Sequence, residues 1–267
     1  MDLQEIDILL RLIIAHLLAD FPFQSDTMAV EKKRGPKSLY FWSHILIVGI
    51  VTYLLLGQWA NWKGPILIMI VHGIIDALKV EVEAIEWFDN SERWKQNKGK
   101  WLFITDQFLH LCTLVIFWAI TSQAVQNREA LLTKLDQKFF SNIDVLVIII
   151  AYLVITMPIG ILIGFITRKW QDDKAKDDEN DVSNSDSLKD AGKTIGMIER
   201  SLILTFILLA QYQAIGFLIA AKSVFRFGDL KESGQRKRTE YILIGTLISF
   251  TLSILTGIFT QFLIRTF

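Results

Sequence analysis

All four histidines of this 267-residue chain lie in apolar stretches, and three have an aspartate four positions away: His16 with Asp20, His72 with Asp76, and His110 with Asp106. The fourth, His44, also sits in a hydrophobic run. Ionisable groups are costly at membrane depth, so such a set points to function before it points to structure. Imidazole and carboxylate together form the donor set of zinc, iron and manganese. The expected metal ligands are His16, Asp20, His44, His72, Asp76, Asp106 and His110, with zinc the first expectation and manganese or iron the alternatives. A bound divalent ion brings the pKa of a water toward about 7 and readies it to attack an ester or phosphoester. In that chemistry Asp76 or Asp106 is the expected general base, and Lys79 or Arg200 the group that holds an anionic headgroup.

A single His–Asp pair at this spacing is more often an intrahelical hydrogen bond. What argues for a shared site is depth. Seven apolar segments of spanning length follow one another, approximately Ile6–Phe23, Ser38–Gly57, Pro65–Ala84, Trp101–Gln123, Ile143–Thr167, Ile195–Ala221 and Tyr241–Leu263. A span needs about 20 mostly apolar residues, and lipid-facing backbone must satisfy its own hydrogen bonds, which makes these helices. The first and third run toward one membrane face and end near Asp20 and Asp76, with His16 and His72 a turn deeper. The fourth enters from that face, so Asp106 precedes His110. Three aspartates then form one layer and three histidines the layer beneath, with His44, seven residues past Lys37, near the aspartates. Residues four apart share a helix face, so all can point into one bundle. Gln24, Asp26 and Gln107 fall at the same depth, and Lys79 is expected to snorkel to the headgroups.

The fold expected is an all-α polytopic bundle of about seven transmembrane helices. It has a His/Asp-bearing part over residues 1–167, an acidic disordered cytoplasmic linker over 168–194, and a two-helix part over 195–267. Glu199 and Arg200 open the sixth span, while Lys222, Arg226 and Glu240 are expected at the opposite membrane face, anchoring the last two helices. Most of the eight tryptophans fall at helix ends, as an interfacial belt places them.

Composition agrees with a membrane protein. The chain is 52% hydrophobic with 28 basic and 28 acidic residues, too apolar for an ordinary soluble domain and without the basic excess that nucleic acid calls for. One cysteine, Cys112, leaves no internal disulfide or thiolate cluster and reads as a packing residue. The acidic start, Asp2 and Glu5, does not resemble a cleavable signal. Counting Lys and Arg by side gives 15 against 11, a small margin for a cytoplasmic C-terminus that the basic stretch Lys222–Arg238 opposes.

The run His16-Leu17-Leu18-Ala19-Asp20-Phe21-Pro22-Phe23-Gln24, with His72-Gly73-Ile74-Ile75-Asp76 and Asp106-Gln107-Phe108-Leu109-His110, resembles an uncharacterised family of bacterial membrane proteins known as a domain of unknown function. Some of its members are encoded beside SatD-like regulators. The stretches Ile195–Arg200 and Ala220–Phe227 resemble its longer members. The resemblance implies a multi-pass protein of the bacterial cytoplasmic (inner) membrane and brings no activity with it. A looser likeness to membrane metal-dependent hydrolases lacks their His-Arg-rich signature here.

Three functions are compatible with these residues. The first is a metal-dependent hydrolase of a lipid-like ester or phosphoester, with membrane lipids around it and a lipid-like or small anionic substrate. The second is a divalent-cation or proton-coupled transporter. The third is a structural membrane partner whose polar cluster fixes helix packing. A transporter needs polar groups continuing to the other face, and there the first four spans offer only Asp7, Arg11, Thr113, Thr121 and Ser122. This favours a one-sided pocket.

Overall fold

The computed structural model describes residues 3–59, 61–84, 92–125, 143–172, 185–227 and 236–266, and every regular element among them is helical. Four helices are long and apolar enough to cross a membrane: Leu39–Leu56, Lys98–Thr121, Ile143–Thr167 and Leu243–Thr266. The chain folds as two compact units, Met1–Leu153 and Val154–Thr266.

In the first unit, α1 (Leu3–Asp20) leads through a short α2 (Asp26–Glu31) and a 3-10 turn (Lys32–Lys37) into α3 (Leu39–Leu56), followed by α4 (Lys63–Ala84) and α5 (Glu92–Val125). Ser25 and Ser38 cap the starts of α2 and α3, each accepting a backbone N–H. The turn before α3 needs Gly35, whose φ of 64° lies where a side chain is strained. Helix α1 packs on α3 and α5, and α4 packs on the same two, so the four close into a ring with an interior. Helices α3 and α4 approach closely because Gly73 leaves room for Ile45, where an added Cβ would lie 2.8 Å from its Cδ1.

The outward faces are apolar. On α4, Ile66, Ile70, Ile74 and Leu78 recur every four residues and are exposed, while His72 and Asp76 on the opposite face are buried. A helix that shows its aliphatic stripe outward and keeps its ionisable residues inside is built for lipid.

The second unit starts within α6 (Ile143–Thr156) and contains α7 (Pro158–Asp172), α8 (Ser185–Leu208), α9 (Tyr212–Phe227) and α10 (Arg236–Thr266). The boundary between the two compact units falls inside the fifth expected span. Met157 and Pro158 break that span, since proline offers no N–H to continue the ladder. The expected disordered linker is helical at Ser185–Lys193, where Ser185 and Asp186 are residue types that favour a helix start. Its middle, residues 173–184, lies outside the described residues.

The sixth expected span, Ile195–Ala221, is not one helix. It turns back at Leu209–Gln211, where Ala210 takes a φ of 56° and Gln211 N–H donates to the Phe206 carbonyl. The hydropathy continues across the turn, which conceals it from a window reading. Because α9 returns, Lys222 pairs with Glu199 of α8, so the two share one level of the unit and do not lie at opposite faces. Helix α10 runs alongside, with Gly245 against Thr167 at one end and Gln261 donating to the Ile207 carbonyl near the other.

This hairpin gathers Arg168, Lys169, Lys189, Lys193, Lys222, Arg226, Arg236, Lys237 and Arg238 toward one end of the unit, leaving Arg265 at the other. The C-terminus of α10 lies at the other end of the unit. In a Cys112→Ser background, Lys193→Cys and Arg226→Cys are expected to label from the same side with a membrane-impermeant maleimide. Labelling from opposite sides would restore a single sixth span.

Candidate metal centre

The ring of α1, α3, α4 and α5 brings all seven candidate ligands into its interior. Four donor atoms define the first position: His44 Nε2, His72 Nε2, Asp20 Oδ1 and Asp76 Oδ2. Nε2 of His44 lies 3.1 Å from Nε2 of His72 and 3.5 Å from both carboxylate oxygens. Nε2 of His72 lies 3.4 Å from Asp20 Oδ1 and 3.5 Å from Asp76 Oδ2. Atoms set tetrahedrally around an ion at about 2.0–2.2 Å are about 3.3–3.6 Å apart. Four of these five separations have the spacing of a tetrahedral zinc site, and the His44–His72 separation is short at 3.1 Å.

Beside this position stands a second group. His110 Nε2 lies 3.5 Å from Asp106 Oδ1 and 3.7 Å from Asp76 Oδ1. His16 Nδ1 lies 3.7 Å from Asp20 Oδ1, and the His16 ring centroid is 5.0 Å from that of His110. Three sets, His16 with His72 and His110, Asp20 with His44 and His72, and Asp20 with Asp106 and His110, each bring their ligand atoms within 4.8 Å of one another.

Apart from the His44–His72 contact at 3.1 Å, these separations are 3.4–3.7 Å, long for hydrogen bonds, and several of the buried atoms make none. Asp20 Oδ1, Asp76 Oδ1, Asp106 Oδ1, His110 Nε2 and the second nitrogen of His44 have no hydrogen-bond partner among the described residues. Buried polar atoms are rarely left so, and three orphaned carboxylate oxygens facing imidazoles form an electron-rich space that suits a cation. Gln107 sharpens the point. Its Nε2 donates to Asp20 Oδ2 and Asp106 Oδ2, both at 3.2 Å, so its Oε1 is left to accept from His16 Nε2 at 3.3 Å. In neutral His16 the bare nitrogen is then Nδ1, lone pair toward a carboxylate oxygen. The residues present fit a divalent ion.

Two lysines reach carboxylate oxygens of the cluster, one of them the same Asp76 Oδ2 that faces His44 and His72. Lys79 Nζ donates to Asp106 Oδ2 at 2.8 Å and does not snorkel away from the cluster. Lys32 Nζ donates to Asp76 Oδ2 at 2.8 Å and to Gln24 Oε1 at 3.3 Å. Lys32 was not among the residues singled out by sequence. It belongs to a basic run whose other members, Lys33 and Arg34, are mostly exposed, and nothing local to Lys32 separates it from them.

One turn deeper than each histidine, on the same helix, lies a buried aliphatic residue: Leu12 below His16, Val48 below His44, Ile68 below His72 and Leu114 below His110. Between them and the imidazoles is a cavity of about 10 Å³ lined by His16, His72, His110, Thr52 and Thr113, about the room one water needs.

A match to a family described as a protein of unknown function, DUF3307, covers residues 8–140. Residues 8–140 belong to the DUF3307 family. The DUF3307 segment holds every one of the seven His and Asp residues, together with Lys32, Lys79 and Gln107. Comparison with the curated proteins and with the solved structures finds no match.

Arg200 and Glu199 lie outside the DUF3307 segment, in the second unit. Arg200 Nε donates to the Ile155 carbonyl at 2.7 Å and Nη2 to the Thr156 carbonyl at 3.0 Å. It supplies the donors that the break at Met157 and Pro158 removes from those carbonyls, a structural task in place of the expected headgroup contact. Gly160 and Gly196 leave the space, since an added Cβ would lie 2.9 Å from Nη2 and 3.1 Å from Nη1.

Proposed function

We propose that the DUF3307 segment is a metal-dependent hydrolase of the cytoplasmic membrane, in which a divalent ion, zinc by preference, is held at one bilayer face and a lipid-like ester or phosphoester is cleaved. The observation that carries this reading is the convergence of His44, His72, Asp20 and Asp76 atoms, with Nε2 of each histidine 3.1–3.5 Å from the other and from both carboxylates. Such an ion supplies Lewis acidity and a water of lowered pKa.

The protein's own groups account for the rest. The small cavity under the imidazoles holds the nucleophilic water. The bare Nδ1 of His16 accepts its proton as the water oxygen bonds to the ester carbon or phosphorus, and returns it to the departing alkoxide. Asp76 and Asp106, each already charge-paired with a lysine, serve as ligands. Lys79, partly exposed at the rim, keeps donors for a headgroup.

The aliphatic ring of Leu12, Val48, Ile68 and Leu114 favours hydrolysis over permeation, because a cation leaving the imidazole layer inward meets hydrocarbon on four helices. Purified protein loaded with zinc and desalted is expected to retain it, and the His44→Ala, His72→Ala double variant to lose it. Zinc content at background would end the proposal. If zinc is bound, sealed vesicles that cleave a lipid ester without passing zinc support the hydrolase, whereas zinc flux without cleavage transfers the site to a transporter.

A further inference from the structure

We infer that the cluster takes a second divalent cation, bridged to the first by Asp76, and that the substrate is therefore an anionic phosphoester. The inference rests on the metal reading above and extends it.

Seven ligand side chains are more than one tetrahedral ion can use, and they are divided in space. Asp76 turns a different oxygen to each part: Oδ2 faces His44 and His72 at 3.5 Å, while Oδ1 faces His110 at 3.7 Å. That is the disposition of a carboxylate that bridges two ions. The second position has its own ligands, His110 Nε2 and Asp106 Oδ1 at 3.5 Å, and Asp20 lies within 4.8 Å of both. All three atoms around it, His110 Nε2, Asp106 Oδ1 and Asp76 Oδ1, lack hydrogen-bond partners among the described residues. Paired ions in hydrolytic sites lie about 3.5–4 Å apart, a separation one carboxylate can span.

The second position has three protein ligands and would keep a place for water; at the first, Asp76 Oδ2 is already held by Lys32 at 2.8 Å.

Charge then selects the substrate. With neutral imidazoles, Asp20, Asp76 and Asp106 against Lys32 and Lys79 leave one negative charge. One divalent ion turns this into one positive charge, and a second into three. So much buried positive charge is unfavourable until anions enter. A hydroxide and a phosphodiester remove two of the three, which a neutral carboxylic ester does not. The hydroxide oxygen bonds to phosphorus, the bond from phosphorus to the alkoxide oxygen breaks, and the proton taken from the water goes to that alkoxide.

The full chain in nanodiscs, loaded with manganese(II), tests this by metal content and electron paramagnetic resonance. Expected are two ions per chain with an exchange-coupled spectrum, and for Asp106→Asn one ion with an uncoupled six-line spectrum. Inorganic phosphate is expected to tighten the second ion about tenfold. One uncoupled ion in the unsubstituted protein overturns the second site while the first position stands. No ion in either protein overturns both readings. A second ion indifferent to phosphate overturns the substrate class.

Discussion

Asp76→Ala is expected to lower the free energy of unfolding by about 3 kcal/mol and to empty the centre of metal. The side chain is 1% exposed and its Oδ2 accepts from Lys32 Nζ at 2.8 Å. Removing one member of a buried ion pair typically costs about 3–5 kcal/mol, because the other charge stays behind without a partner. The low end applies because Lys32 keeps Gln24 Oε1 at 3.3 Å. Metal loss follows from geometry, since this carboxylate faces His44, His72 and His110. Thermal unfolding in detergent and metal content after desalting measure the two effects. A variant as stable as the parent and still holding its ion would show that Asp76 is a bystander. Asp106→Ala, whose lysine is more exposed, is expected to cost less.

The residues that form the cluster were legible because period and depth are properties of sequence. A histidine and an aspartate four apart share a face, and the order Asp106 then His110 on a helix entering where Asp20 and Asp76 lie puts like with like. His44 followed from its distance past Lys37, and the structure sets its Nε2 between Asp20 and Asp76. The aliphatic ring was equally readable, at four residues on the deep side of each histidine, but only once the layer was known.

What the sequence concealed depends on chain reversal. The turn at Ala210 interrupts no hydropathy, so a window reads Ile195–Ala221 as a single span, and with it misplaces Lys222. Arg200 drew attention as a charge near a membrane face, and its use is set by the break at Met157, about forty residues earlier, whose freed carbonyls it meets. In the sequence Lys32 is one charge of a basic run, Lys32-Lys33-Arg34. It becomes a buried partner because Gly35 and Pro36 fold the segment over the end of the ring, and its reach to Asp76 is a tertiary fact.

Lys32→Met is expected to be destabilised in chelator and restored by zinc. Without the ammonium, Asp76 is a buried carboxylate lacking its nearest counter-charge, and the cost is again about 3 kcal/mol. The same oxygen that Lys32 holds, Oδ2, faces His44 and His72, so the ammonium and an ion compete for one acceptor. Removing Lys32 thus makes the apo protein worse and the site better for a cation. Zinc should bind this variant more tightly than the parent and, by mass action, raise its unfolding temperature further. Unfolding curves in EDTA and in excess zinc decide the matter. Equal destabilisation in both would mean that Asp76 meets no ion, and that Lys32 is there for packing alone.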